Sequence, residues 1–429
     1  MIPAVRELGA PSTLLAGIAA PRMDRLPGSR PRAIRWRILD AKLELDRDGV
    51  VLYSCGGRTV LGVIHSPEPG PRNDRSPSAP GMRLYEFPED PALPGLASAL
   101  DGEAMGRILE GALPGERVVR CRVHPLRYRP LRRCTLQVDA WTRSSSAGMR
   151  RRTLFAKLYH DHAKALAAFE RMACLARSED LIDAGVGVAR PVAFVPELAM
   201  VVQESLAGSP LESMLTGTGE NAAARRLGQA ARALAALHEH APIVGRPRLM
   251  ASYVERMGRR GGLVREIDTD LGARMVHLAR VSRAMLDELA GGGPPVRVVH
   301  GDCKPSQFLI DGDLTAILDF DHSGLADPAV DVGDFLAALR RTAVSARWRR
   351  VGARADADTS EAVFLDEYAS VAGRTGELER RARSYEAIAL QRKAYRAFLR
   401  SRRSPLPHAL LDEAERVLAE LAGCAEAEL

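Results

Sequence analysis

Within Val298–Phe335, His300, Asp302, Lys304 and Gln307 fall in one short segment, and Asp319 and Asp321 follow after a run that reads as a hairpin. Moving a phosphoryl group requires a carboxylate to orient and deprotonate an acceptor hydroxyl, oxygen ligands for magnesium, and a cation against the phosphate charge. Asp302 supplies the first, Gln307 and Asp319 the second, and Lys304 the third. Single aspartates often do no more than cap turns, but the combination at this spacing points to metal-nucleotide chemistry.

The flanking sequence has the elements needed to hold such a site. Val296–Val299 is a β-rich run feeding His300-Gly301-Asp302, and Gln307–Ile310 is another. Asp311-Gly312 then turns the chain into Leu314–Leu318, which ends at Asp319. Asp327-Pro328 reads as a helix start, with aspartate as cap and proline at the first position.

Upstream, Arg117–Thr142 reads as paired strands turning at Arg129–Cys134, without a glycine-rich phosphate loop. Thr153–Tyr159 reads as a strand with Phe155, Lys157 and Tyr159 on one face. Two readings fit Lys157: a phosphate-binding cation, or an edge-strand lysine that discourages aggregation. Asp161–Arg177 follows as a helix with an apolar stripe, and Glu170 lies beside that stripe, either solvated or paired with Lys157. Strands at Val188–Val195 and Ala199–Gln203 lead through Gln203-Glu204-Ser205-Leu206 to a hinge at Gly208-Ser209-Pro210. Helical patterns occupy Asn221–His240, Leu263–Leu289, Glu361–Ala372, Glu377–Arg400 and Pro407–Ala422; His238 and His240 read as cations at a helix C-terminus.

With 429 residues the chain is long enough for two or three domains. Its first 30 residues read as a loosely ordered arm, a small antiparallel meander follows from Arg32, and Ser66–Gly81 is a Pro-, Ser- and Gly-rich linker. The formal charge of +7 is spread along the chain, with no recognised nucleic-acid module, so nucleic acid is not the expected partner. No apolar run approaches the roughly 20 residues of a membrane span, and the run Thr13–Ala20 lacks the basic start of a signal peptide. Six cysteines without a CxxC pair argue against a zinc site or a disulfide framework. The expected location is cytoplasmic.

HGDCKPSQFLI followed by ILDFDHSGLADPAVDVGDF resembles the aminoglycoside phosphotransferase and choline kinase-like (APH) superfamily, whose pattern is HGDxxxxN, a strand ending in IDF, and DPxxDhA. The loop is also similar to the HRDLKPxN loop of protein kinases. The resemblance covers about Glu116 to Arg400. It implies an α+β, protein-kinase-like bilobal fold with a β-rich N-lobe, a mostly helical C-lobe and an N-terminal β-rich extension. The expected divisions are an extension over 1–82, a nucleotide-binding lobe over 83–205, and a helical lobe with the catalytic and metal loops over 206–429.

The resemblance makes Asp302 the catalytic base, His300 a support for its loop, and Lys304 the counterpart of the protein-kinase loop lysine. Asp319 becomes the principal magnesium ligand with Gln307, and Asp321 a second metal or supporting acid. Lys157 becomes the cation on the ATP phosphates and Glu170 its partner, while Gln203, Glu204, Ser205 and Leu206 meet adenine. Asp327 and Asp331 are given structural roles. Gln307 departs from the usual asparagine, which the maltokinase-like branch also does.

The implied activity is ATP- and Mg2+-dependent transfer of the γ-phosphate to a small-molecule hydroxyl acceptor. Basic late helices, carrying Arg380, Arg381, Arg383, Arg392, Lys393, Arg396 and Arg400, favour a sugar or similar metabolite over a polycationic aminoglycoside. A pseudokinase scaffold is the second reading, motivated by Gln307 and the missing glycine loop. A protein kinase is disfavoured by the lack of an APE-like segment after Asp319.

Overall fold

The computed structural model describes residues 36–42, 49–64, 82–144, 148–215, 219–248, 250–349, 357–373 and 376–427. The arm and the Ser66–Gly81 linker lie outside them. The chain divides into two compact units: Met1–Arg152, Ala156–His162 and Val195–Met200 in the first, and Thr153–Phe155, Ala163–Phe194 and Val201–Leu429 in the second.

The first unit opens with an antiparallel meander of Trp36–Lys42, Gly49–Cys55, Arg58–Ile64 and Met82–Glu86, paired in chain order. Val51, Tyr53 and Cys55 alternate inward, as the period-2 pattern requires. The helix Gly102–Ala112 starts where the Asp101 side chain accepts from the Ala104 amide at 2.7 Å.

Glu116–Arg129 and Arg133–Ser144 then form an antiparallel hairpin whose inner face, Cys134, Leu136, Val138 and Ala140, is fully buried. Its tip has no glycine, so Leu131 itself adopts a left-handed backbone with φ of +58°. Asp90 holds that conformation, its Oδ2 accepting from the Tyr128 hydroxyl at 2.7 Å and the Leu131 amide at 2.9 Å. The larger sheet runs in the order Glu116–Arg129, Arg133–Ser144, Gly148–Tyr159, Met200–Glu204, Pro191–Val195. Lys157 is therefore on an interior strand and is 8% exposed, which removes the edge-strand reading.

Two sequence expectations in the second unit need correction. The run expected as one strand from Val188 breaks at Pro191. Val186–Val188 instead pairs in parallel with Leu314–Ile317, in a sheet completed by Phe308–Asp311 and Ser209–Pro210. The helix expected over Leu263–Leu289 is two helices, Met250–Val264 and Thr269–Gly291. Asp268 interrupts the pattern, its side chain accepting from the Leu271 amide at 3.0 Å and so starting a new helix.

The apolar centre of the second unit is built on the helix Ala329–Arg349, whose Phe335 stacks on Phe364 at 4.0 Å and meets Phe308 edge-on at 5.7 Å. Phe308 lies one residue beyond Gln307, so burying it fixes the end of the polar loop to the core. Among the described residues no helix is long and apolar enough to cross a membrane.

Gly333 sets how closely Ala329–Arg349 approaches Gly376–Arg400: a Cβ there would lie 2.6 Å from the Ala382 carbonyl oxygen and from the Glu386 nitrogen. Gly333→Ala is expected to cost about 1–3 kcal/mol in urea unfolding, because backbone must move. Exposed Gly262 in Met250–Val264 has open space around it, and Gly262→Ala should stabilise by about 0.5–1 kcal/mol.

Candidate active site

His300 and Gly301 begin the polar loop immediately after the short strand Arg297–Val299, and both of their amides point at one carboxylate. Asp331, fully buried, accepts from the His300 amide at 2.5 Å and the Gly301 amide at 2.7 Å. His238 Nε2 donates to the same carboxylate at 3.1 Å, and its Nδ1 accepts from the Tyr368 hydroxyl at 2.8 Å. His238 was expected to be a helix-terminal cation. It is instead 1% exposed and part of the loop's support, which only long-range contacts could reveal. Burial pulls the Asp331 carboxyl upward, but the hydrogen bond from His238, the electrostatic influence of His238 and His300, and the Gly301 amide hold it below the usual carboxylate range.

His300 is fully buried and joins the two halves of the stretch. Its Nε2 donates to the Leu318 carbonyl at 2.7 Å, and its Nδ1 accepts from the Asp302 amide at 3.2 Å. The Leu318 amide in turn donates to the Gln307 carbonyl at 2.8 Å. A third tie comes from Arg248, which donates to the carbonyls of both Gly301 and His322. Gly301 is required there: its φ is +77°, and a Cβ would collide with the Arg248 guanidinium and the His322 carbonyl. Arg248 carried no local sequence signal, since its partners lie 53 and 74 residues away.

With the loop so fixed, the Asp302 side chain is 19% exposed and ion-paired to Lys304. Burial would raise the Asp302 carboxyl. The charge and hydrogen bond of Lys304, with Arg392 and Arg396 behind, outweigh it and hold the group far below the carboxylate range. Asp302 is thus a constant anion, able to accept a hydrogen bond from an acceptor hydroxyl.

Gln307 is 7% exposed, its amide nitrogen donating to the Lys304 carbonyl at 2.9 Å, and its side chain forms no hydrogen bond among the described residues. Asp319, half-buried, lies two residues beyond the strand Leu314–Ile317 in a left-handed backbone with φ of +65°. Such a conformation costs a non-glycine residue about 1–3 kcal/mol and is concentrated at functional sites. An uncommitted amide oxygen and a carboxylate are hard oxygen donors, which fit magnesium. Among the described residues no three His, Cys, Asp or Glu side chains cluster as a self-sufficient metal cage; magnesium bound to a nucleotide takes much of its shell from phosphate and water. Asp321, half-buried, lies two residues beyond Asp319 in the one-turn helix Phe320–His322.

The remaining predicted residues lie on other elements of the chain. Lys157 belongs to the first unit. Glu170 is exposed on the helix His162–Leu175, in the second unit, with no ion pair among the described residues. Gln203–Leu206 closes the strand Met200–Glu204, where Glu204 is committed to Arg190 by two hydrogen bonds of 3.1 and 3.2 Å. Asp327 accepts from the Ala329 amide at 3.0 Å and starts the helix Ala329–Arg349, as its proline neighbour indicated.

The model of the phosphotransferase enzyme family (APH) matches residues 141–373. No curated protein sequence matches the chain. Among solved structures, a choline kinase from Cryptosporidium parvum is 11% identical, covers 75% of this chain and 97% of its own, and has a TM-score of 0.52. A macrolide 2'-phosphotransferase from Brachybacterium faecium is 19% identical over 72% of this chain and 97% of its own, with a TM-score of 0.44. An aminoglycoside phosphotransferase from Streptomyces rimosus is 19% identical over 62% and 91%, with a TM-score of 0.40. The likeness to the Cryptosporidium kinase shows the shared protein-kinase-like α+β fold.

Because Asp331 is held below its unfolded pKa of about 3.9, its stabilisation is complete above about pH 5 and is lost as the pH falls through the folded value. Asp331→Asn is therefore expected to lower stability at pH 7 by about 2–4 kcal/mol. Its urea midpoint should also decline less steeply than the wild type's between about pH 5 and pH 3.

Proposed function

The chain belongs to the phosphotransferase enzyme family, a small-molecule kinase by that membership, and from this premise we propose that it uses ATP and magnesium to phosphorylate a hydroxyl of a sugar or similar metabolite. The observation carrying this reading is the Asp302–Lys304 pair, on a loop fixed by Asp331 and His300, beside the uncommitted amide of Gln307.

In the proposed reaction the acceptor oxygen forms a bond to the γ-phosphorus as the bond from that phosphorus to the β,γ-bridging oxygen breaks, and ADP leaves. Asp302 orients the hydroxyl and takes its proton. A carboxylate of such low basicity removes that proton only after the oxygen has begun to bond phosphorus, which suits the loose transition state of phosphoryl transfer. Lys304 faces the γ-phosphate charge and keeps Asp302 ionised. Magnesium, when bound, would neutralise charge across the β- and γ-phosphates, with Asp319 and Gln307 as its protein ligands and Asp321 beside them. Lys157 would meet the α- and β-phosphates, and the backbone of Gln203, Glu204, Ser205 and Leu206 would meet adenine.

Asp302→Asn should lower acceptor-dependent ADP release by about 10²–10⁴-fold, and turnover unchanged in that variant would overturn the assignment of the base. Gln307→Asn, which keeps the amide oxygen, should retain far more turnover at saturating magnesium than Gln307→Ala. ATP binding without turnover of any acceptor in a broad panel would favour the pseudokinase reading. Lys304→Met removes the cation that depresses Asp302, so its carboxyl should rise. Activity needs the ionised form, so the acid limb of kcat/KM should move to higher pH in that variant.

A further inference from the structure

The seven cations of the helix Gly376–Arg400 are not equivalent once packed. Arg381 lies 3.0 Å from Asp327 and 2.9 Å from Glu377. Arg383 pairs with Glu361 at 2.5 Å and Glu386 at 2.9 Å. These charges are consumed within the fold and cannot recruit a ligand.

Arg392 and Arg396 differ. Arg392 is 8% exposed; one of its nitrogens contacts Asp334 at 2.6 Å, while its buried Nε has no hydrogen-bond partner. Arg396 follows one helical turn later, solvent-exposed and without an ion pair among the described residues. Like charges spaced i,i+4 on a helix repel each other, so the fold bears a cost here. Both guanidiniums lie close enough to Asp302 to depress its carboxyl.

A cleft beside them is lined by Arg248, Tyr253, Asp334, Tyr385 and Arg392, and Arg248 is the residue that also holds the Gly301 carbonyl. Asp302 is already neutralised by Lys304. Two guanidiniums of the lining, Arg248 and Arg392, therefore stand against one remaining carboxylate, Asp334, and Arg396 adds a third positive charge one helical turn from Arg392. The cleft carries an uncompensated excess of positive charge within reach of the proposed base. A cationic acceptor would meet repulsion in it. An anionic group would supply partners for Arg396 and for the unpartnered Nε of Arg392, as charge-assisted hydrogen bonds do for buried guanidiniums.

We propose that the phosphate acceptor is a hydroxylated anion whose carboxylate or phosphate docks against Arg392 and Arg396 while its hydroxyl meets Asp302. This rests on the reading of Asp302 as the base for acceptor phosphorylation.

The test is calorimetric binding to the full chain in the presence of a non-hydrolysable ATP analogue and magnesium, using four probes of similar shape: gluconate, glucose 6-phosphate, glucose and glucosamine. At least one anion is expected to bind tenfold or more tighter than glucose, and glucosamine weakest of all. Gluconate preferred over glucose 6-phosphate would identify a carboxylate, and the reverse a phosphate. Arg396→Gln, at an exposed position, should reduce the anion preference at least fivefold, and Arg392→Met should abolish it. If Arg392→Met does not fold, Arg396→Gln alone decides. Equal binding of anions and glucose, or an anion preference untouched in Arg396→Gln, would overturn the proposal. ADP release with the same probes is read separately. Turnover of glucose or glucosamine without anion preference would leave the kinase reading standing while this inference falls, and Asp302-independent turnover would remove the premise itself.

Discussion

The arrangement of the loop depends on one buried carboxylate. Asp331 has no access to water, and three donors from two places converge on it: the His300 and Gly301 amides and the His238 ring. Removing a carboxylate from water is expensive unless its lone pairs are filled, and here filling them fixes where the loop begins. His238 carries the tie onward to Tyr368 and so links Glu220–His240, Ala329–Arg349 and Ala357–Ala372 to the loop. Asp302 is one residue beyond Gly301, so its position follows from a constraint that lies in the helical core. His300 extends the same constraint to Leu318, which directly precedes Asp319.

What the sequence made legible was local. Two-residue turns, the strand into His300-Gly301-Asp302, the Asp327-Pro328 helix start and the supporting role of Asp331 could all be read from spacing or from the family resemblance. Their determinants lie within a few residues of each other, or in a motif of fixed pattern. What was not legible depends on partners far along the chain. His238 has the local look of a helix-terminal cation and only its meeting with Asp331, 93 residues later, makes it structural. Arg248 lies in an unpatterned run, and the pairing of Val186–Val188 with Leu314–Ile317 is non-local by construction. The left-handed Leu131 is set by Asp90, 41 residues earlier, so turn chemistry alone gave no warning.

The distribution of arginine has a related explanation. In sequence it looked like a dispersed positive surface, but much of it answers buried acids. Arg340 is 3% exposed and contacts Glu386 at 2.6 Å and Glu361 at 2.5 Å, both carboxylates being fully buried. Burial and the neighbouring Glu386 push the Glu361 carboxyl upward, and Arg340 and Arg383 oppose them. Such networks add little net stability over an apolar core of equal shape, but leaving one member unpaired is costly. They therefore restrict how the C-terminal helices can pack, and the composition-level charge overstates what remains free for a ligand.

Gln307 was the residue on which the choice between enzyme and remnant turned, and its surroundings bear on that choice. Its longer side chain is floppier than asparagine in isolation, but its backbone is fixed on both sides, through the Lys304 carbonyl and the Leu318 amide, and it is 7% exposed. Packing of that kind removes rotamer freedom before any ligand arrives, so less entropy is lost when the amide oxygen is used. The neighbouring features carry costs that folding alone does not explain. Asp319 keeps a left-handed backbone, and the depressed Asp302 carboxylate is held in a largely buried setting beside several cations. Strain and perturbed acidity concentrated within one loop pair are features of sites organised for chemistry. They support the catalytic reading over the scaffold reading, with glutamine as a longer-armed ligand on a more tightly held backbone.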